Sequence, residues 1–240
     1  MPGSNALVGS GEYLPAMAAL EHDLLDRGIE QGKKARYIQI PTAAGEESPE
    51  RLQYWKKLGA VQAERLEVES EFLPIFTRED AFNVDYAAII ENSALMYMSG
   101  GNPHYLAEVL VDTPVWSAIH ENWLSGASLA GCSAGAMVMS SEIPHFRFSK
   151  REPTPGLGLL PSIRVIPHFD KFFRWIPESA AKVVMQVQEG TVLIGIDELT
   201  ALVRNFDNPH WQVHGHAKVH VLKGAPTSQF SHGDQITLPL

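Results

Sequence analysis

Gly131-Cys132-Ser133-Ala134-Gly135 follows a short apolar run, Ala127-Ser128-Leu129-Ala130, and leads into the helix formers Ala136-Met137-Val138-Met139. These five residues match G-x-S-x-G, a nucleophile elbow when a strand precedes it and a helix follows. Glycines two before and two after Ser133 remove side chains that would clash where strand meets helix, and small Ala134 lets the backbone approach a substrate. In that setting the Ser133 hydroxyl projects at the mouth of a cleft. The Ala134 N–H, at the helix start, faces any oxyanion formed there.

Upstream of the elbow, strands alternate with helical segments. Apolar runs at 5–10, 35–40 and 94–98 read as buried strands, and 63–68 reads as another. Helical spacing marks 15–27, 49–58, 84–91, 103–111 and 114–124. This alternation predicts right-handed βαβ units: a three-layer α/β fold with a mostly parallel sheet covered by helices on both faces. Ligands in such sheets bind beyond the carboxyl ends of the strands. Downstream, 141–161 is rich in Pro and Gly and reads as a long active-site loop. A strand at 163–166, a helix at 174–188 and a strand at 191–196 follow, with antiparallel strands at 201–203 and 211–222. With no repeat, linker or low-complexity tract, residues 1–240 read as a single domain.

A serine hydroxyl is a poor nucleophile at neutral pH and needs a base, which in turn needs an orienting acid. His168, in Val165-Ile166-Pro167-His168-Phe169-Asp170, sits at the carboxyl end of an expected strand, where the cleft should be. Glu198 closes the apolar run Leu193-Ile194-Gly195-Ile196-Asp197-Glu198 and can accept from His168 Nδ1–H, turning Nε2 toward Ser133. Asp197 and Asp170 stand in reserve for that role. A second oxyanion donor is expected from Ser99-Gly100-Gly101-Asn102, where two glycines let backbone N–H groups turn inward; Gly101 is the candidate. Asn102 reads as the N-cap of the next helix, with Pro103 at its first position, and as a candidate substrate-binding side chain.

Taken together, these residues resemble the serine peptidase family that contains aspartyl dipeptidase (peptidase E) and cyanophycinase. The resemblance spans nearly the whole chain. It rests on Ala6-Leu7-Val8-Gly9-Ser10-Gly11-Glu12, Ser99-Gly100-Gly101-Asn102, Gly131-Cys132-Ser133-Ala134-Gly135-Ala136, Gly156-Leu157-Gly158-Leu159-Leu160-Pro161 before His168, and Gly195-Ile196-Asp197-Glu198 with Thr200-Ala201-Leu202. It implies a glutamine-amidotransferase-like fold and a Ser133-His168-Glu198 triad, with Gly101 and Ala134 as the oxyanion hole. Cyanophycinase-like members carry a glutamine before the histidine and arginines four, six and nine residues after it. Here Pro167 precedes His168, and Phe172 and Pro177 occupy two of those places; only Arg174 matches. This departure argues against cyanophycin and leaves Arg174 as the substrate-binding residue the resemblance implies. An aspartyl substrate also needs a cation, and Arg147, Lys150, Arg151, Lys171 and Arg174 are the candidates. The aromatic residues Phe169, Phe172, Phe173 and Trp175 read mainly as core, with an apolar pocket as the alternative.

The expected activity is that of a serine exopeptidase on short peptides. The alternatives are a non-peptide esterase or amidase using the same triad, and a catalytically silent binding protein. A formal net charge of −9 argues against nucleic acid or an anionic membrane as partner. With 45% hydrophobic and 20% charged residues the chain is globular. A short peptide is the expected partner, and a homodimer is left open. The single cysteine, Cys132, fits a reducing compartment, and without a basic leader the expected location is cytoplasmic. Gly9-Ser10-Gly11 lacks the third glycine of a dinucleotide fingerprint, so no nicotinamide cofactor is expected. Alternation along one strand would place His214, His216 and His220 on one face, but no companion carboxylate or cysteine is spaced for zinc and no metal is expected.

Overall fold

The computed structural model describes residues 1–145, 152–175, 181, 185–205, 208 and 210–238. Its strands are β1 (Asn5–Val8), β2 (Lys34–Ile40), β3 (Glu69–Phe72), β4 (Ser93–Met98), β5 (Ser128–Cys132), β6 (Glu142–Ile143), β7 (Thr154–Pro155), β8 (Ile163–Ile166), β9 (Val192–Ile196), β10 (Thr200–Arg204), β11 (His210–Gly215), β12 (Val219–Lys223), β13 (Ser228–Phe230) and β14 (Gln235–Thr237). The helices are α1 (Ala18–Glu30), α2 (Pro49–Arg65), α3 (Val84–Ile90), α4 (Pro103–Leu110), α5 (Pro114–Leu124), α6 (Ala134–Val138) and α7 (Phe169–Trp175). None of the described helices is long and apolar enough to cross a membrane.

Among the described residues the large sheet has eight strands in the order β14-β11-β10-β1-β5-β4-β2-β3. From β1 to β3 every pairing is parallel. The three strands beyond β1 join antiparallel. Residues on the central strands alternate between two buried clusters, as the two-residue period of a strand requires. Leu7, Ile38, Ile40, Met96, Met98, Leu129 and Leu202 face one cluster, which also takes side chains from α4, α5 and α6. Ala6, Val8, Tyr37, Leu95, Tyr97, Ala130, Cys132, Ala201 and Val203 face the other, under Leu20, Leu24 and Leu25 of α1 and Trp55 and Leu58 of α2. Helices thus cover both faces, and the central strands read as near-continuous apolar runs. This is the mostly parallel, three-layer α/β architecture expected from the sequence.

Three of the elements expected from sequence need correction. The segment 63–68 is not a strand. Helix α2 continues to Arg65, and its buried Gly59, Gln62 and Ala63 recur at helical spacing. The strand begins at Glu69, with alternating exposure and charged residues, an edge strand whose apolar signal is weak. The helix expected at 174–188 begins earlier, as α7 from Phe169; residues 176–180 and 182–184 lie outside the described residues. The run 211–222 is two strands in two sheets. β11 lies in the large sheet, whereas β12 pairs with β9 in a four-stranded sheet ordered β13-β12-β9-β8. His214 and His220 therefore do not share a strand face.

This second sheet was not separable from the first by sequence, because both are runs of alternating apolar residues. It matters for the site. The chain leaves β8 at Pro167-His168, and leaves β9 at Asp197-Glu198 before re-entering the large sheet as β10. The elbow leaves β5, at the large sheet's centre.

Candidate active site

Ser133 stands between β5 and α6 at φ 50°, ψ −105°, a backbone state few residues with a Cβ adopt. Its N–H donates to Val8 O at 2.9 Å, and its carbonyl accepts from Ala136 N at 3.1 Å and Met137 N at 3.0 Å. Close packing explains the glycine after it: a Cβ on Gly135 would lie 2.3 Å from Met98 O. The turn therefore holds the hydroxyl outward, and Ser133 is half-buried while its neighbours Cys132 and Ala134 are buried.

His168 also has a positive φ, 50°, two residues beyond the end of β8. Its Nε2 lies 3.1 Å from Ser133 Oγ, and its Nδ1 lies 3.0 Å from Glu198 Oε1. With the proton on Nδ1, Nε2 is left as the acceptor for the serine hydroxyl. Glu198 Oε2 accepts from Lys171 Nζ, and the Glu198 N–H donates to Asp170 Oδ1 at 3.0 Å. Burial pushes the Glu198 carboxyl up, but hydrogen bonds and charge from Lys171 and His168 outweigh it and hold it below the usual carboxylate range. Glu198 is thus ionised and fixed from both sides.

The reserve acids have other partners. Asp197 Oδ1 pairs with His220 Nε2 at 2.9 Å and Oδ2 accepts from Lys218 N at 3.1 Å. Asp170 accepts from the Glu198 backbone, as above. Asp197 and Asp170 thus frame Glu198.

The loop after β4 runs beside the serine: a Cβ built on Gly100 would sit 3.4 Å from Ser133 Cβ. Gly101 holds φ 142°, where a Cβ would lie 2.2 Å from Ala43 O, so only glycine fits. The Asn102 N–H donates to Ala43 O at 2.7 Å, pinning the loop to the turn after β2. Asn102 Oδ1 caps α4 through His104 N at 3.1 Å and Tyr105 N at 3.2 Å, and its Nδ2 donates to Glu46 Oε2 at 2.9 Å. Ala134 opens α6, so its N–H has no acceptor within that helix.

Of the cations suggested for an acidic substrate, Lys171 pairs with Glu198 and Arg174 is exposed in the last turn of α7. Arg147, Lys150 and Arg151 lie outside the described residues. Phe169 and Phe172 stack with ring centroids 6.1 Å apart and pack with Ile166 and Leu193, as core. The side chains of Phe173 and Trp175 are outside those described. Among the described residues no group of three or more His, Cys, Asp or Glu side chains is placed to hold a metal ion.

Sequence reasoning passed over Glu12, although the resemblance motif contains it. Glu12 is 8% exposed. Its Oε1 accepts from Gly100 N at 2.8 Å, and its Oε2 from the Cys132 thiol at 3.0 Å. The one charged residue in the loop Gly9-Ser10-Gly11-Glu12-Tyr13-Leu14 was the available signal. Cys132 itself is buried, and burial followed by the charge of Glu12 pushes its thiol well up. It stays protonated as a donor, unlike a nucleophilic thiolate.

The fold and this arrangement define an α/β protein with a mostly parallel central sheet and a serine at the strand-to-helix turn after its middle strand. The chain matches the model described as Peptidase family S51 over residues 6–210. It is 32% identical over 203 residues to a cyanophycinase of Trichormus variabilis, covering 79% of this chain and 63% of that protein. To a cyanophycinase of Geminocystis herdmanii it is 29% identical over 210 residues, 84% of this chain and 74% of that protein. The crystal structure of a peptidase from an acI-B1 Actinobacterium superposes at a TM-score of 0.97 with 55% identity, covering 99% of this chain and 98% of that one. A putative peptidase E protein from Listeria monocytogenes shares the fold at a TM-score of 0.61 and 20% identity, covering 90% of this chain and 100% of that one. The chain belongs to peptidase family S51. It spans 63% of the length of the Trichormus variabilis cyanophycinase it matches.

Proposed function

We propose that this chain is a serine peptidase of the dipeptidase type, a single α/β domain that hydrolyses short peptides through an acyl-enzyme. The observation carrying this reading is the continuous path from Ser133 Oγ to His168 Nε2, 3.1 Å, and from His168 Nδ1 to Glu198 Oε1, 3.0 Å. Ser133 Oγ attacks the scissile carbonyl as its proton passes to His168 Nε2. The oxyanion forms beside the N–H groups of Gly101 and Ala134. His168 then gives the proton to the leaving amine, the C–N bond breaks, and an acyl-Ser133 ester remains. Water attacks that ester with His168 again taking the proton, and the acid product leaves as Ser133 recovers its hydrogen. Glu198 stays ionised and keeps His168 in the tautomer this cycle needs.

The sequence around His168 favours short peptides over cyanophycin, since Pro167, Phe172 and Pro177 replace the glutamine and two arginines expected of cyanophycinase-like members. Arg174, exposed on α7, is the residue proposed to meet an acidic substrate group, with Asn102, after β4, as the second substrate-binding side chain.

Dipeptides varied at the first residue, measured beside small esters, test the reading. Turnover of dipeptides that is absent in Ser133→Ala supports it. Turnover of esters alone replaces it with a non-peptide acyl hydrolase. Failure of folded protein to turn over either class or to take a fluorophosphonate at Ser133 favours a silent binding protein.

A further inference from the structure

Three loops meet at the serine, and one buried carboxylate joins them. Glu12 lies in the loop after β1. Its two oxygens accept from groups on the other two loops: Gly100 N, one residue before Gly101, at 2.8 Å, and the Cys132 thiol, one residue before Ser133, at 3.0 Å. The carboxylate sits within 2.7 Å of where a Gly100 Cβ would stand, with Ser133 Cβ 3.4 Å from that same point. Glu12 therefore lies directly behind the gap between nucleophile and oxyanion loop.

We infer that Glu12 is a positioning residue that clamps the Gly100-Gly101 peptide against the elbow and so sets where the Gly101 N–H points when an oxyanion forms. This inference rests on the serine peptidase reading above. Neither carboxylate oxygen touches the reacting atoms, so Glu12 acts through the two loops it ties. The need for such a tie is physical. Gly100 and Gly101 have no side chains to anchor them, and Gly101 occupies a backbone state open only to glycine. A flexible diglycine would swing its donor out of line, and an oxyanion donor is effective only when fixed in advance. Binding Gly100 N–H to a carboxylate, a charge-assisted hydrogen bond, is a strong way to fix it. The Cys132 thiol holds the second oxygen, so the clamp closes only when the elbow is formed.

The loop carrying Glu12 is itself anchored from below. Tyr13, at φ 62°, donates its N–H to Glu21 Oε1 at 3.3 Å, and Tyr37 OH donates to Glu21 Oε2 at 2.9 Å. Glu21 is fully buried on α1. The path from α1 through Tyr13 to Glu12 and Gly100 thus ties the helix layer to the oxyanion loop.

The test is the rate at which a fluorophosphonate labels Ser133, because phosphonylation places a phosphoryl oxygen where the oxyanion would sit. All variants are measured well below their melting temperatures, with folding checked by circular dichroism. Glu12→Ala is expected to label about 10- to 100-fold more slowly than wild type, less than outright loss of a donor costs. Glu12→Gln keeps an oxygen for Gly100 N–H and is expected within about threefold of wild type. If Glu12→Ala does not fold, Glu12→Met, similar in length and without an acceptor, takes its place. Wild-type labelling in a folded Glu12→Ala or Glu12→Met overturns the clamp, as does equal slowing in Glu12→Gln. Hydrogen exchange over residues 98–102 reads the clamp independently of chemistry and should accelerate in Glu12→Ala; unchanged exchange there also overturns it. Failure of the wild-type protein to label at Ser133 strikes the peptidase reading, while the exchange result still decides the clamp.

Discussion

Ser133 and His168 face each other across 3.1 Å, and each holds a backbone φ of 50°. Such angles are uncommon for residues with a Cβ and cost on the order of 1–3 kcal/mol each, so they persist where surrounding contacts over-determine them. Val8, Ala136 and Met137 fix the backbone of Ser133. Lys171 N donates to His168 O at 2.9 Å and closes the first turn of α7. Both strained residues sit at the end of a strand, one in each sheet. The strain aims two side chains from different sheets at one point.

A pair of substitutions separates chemistry from strain. Ser133→Ala removes the hydroxyl and keeps the strained Cβ, while Ser133→Gly removes both. Each is expected to lower turnover of a cleaved dipeptide by roughly 10⁴–10⁶. Ser133→Gly should nonetheless unfold at higher denaturant than Ser133→Ala, by about 1 kcal/mol, because glycine accepts this backbone state freely. Urea titrations of the two variants measure the difference, and equal midpoints would remove the strain argument.

The acid's identity is open to the same treatment. Glu198→Gln keeps an acceptor for His168 Nδ1–H but loses the charge that stabilises the imidazolium. It should fold normally and lose roughly 10⁴ in kcat, as changing the acid of a Ser-His-Asp triad to its amide does. Asp197→Asn and Asp170→Asn leave the Glu198 carboxylate in place and should stay within about tenfold of wild type. A larger loss in Asp197→Asn than in Glu198→Gln would transfer the acid role to Asp197.

The parallel half of the sheet was legible because its strands are buried on both faces and its helices carry N-cap signals. Asn102, Thr113 and Ser48 cap α4, α5 and α2, each ahead of a proline. Ser133, His168 and Glu198 were legible for a related reason: each ends an apolar strand. Two things were hidden. Ala63 to Val68 reads as a short strand through Ala63, Leu66 and Val68, but Ala63 shares one helix face with Gly59 and Gln62, a relation visible only at a longer window. Glu12 was hidden because its partners are a backbone N–H 88 residues away and a thiol 120 residues away. Local sequence shows the lone charge but not the distant groups that it meets.

Lys171 Nζ donates to the oxygen of Glu198 that His168 does not use. Lys171→Met should therefore let Glu198 take up its proton at higher pH, since a cation that holds the carboxyl down is gone. A protonated Glu198 orients His168 poorly, so the acid limb of the kcat/KM profile should move upward in pH. The side chain is 38% exposed, so solvent screening keeps the move small. Lys171→Arg should restore the wild-type profile. Superimposable profiles for Lys171→Met and wild type would show that this ion pair does not tune the site.

Glu21 gives the fold a pH dependence of its own. Burial pushes its carboxyl up to about 7, although hydrogen bonds from Gln62, Tyr37 and the Tyr13 backbone pull the other way. In the unfolded chain the same group titrates near 4.5. Between these values the folded protein holds a proton that the unfolded chain has released, so stability falls as pH rises. Its contribution is fully present below about 4.5 and is lost by the time pH passes about 7, a change on the order of 3 kcal/mol. Glu21→Gln keeps a neutral group there at every pH. Relative to wild type, this variant should therefore gain stability as pH rises from about 5 to 8. Urea midpoints for the two proteins across that range measure the gain. Parallel curves would mean that the buried carboxyl does not titrate in this window, and that Tyr37 and Tyr13 face a carboxylate throughout.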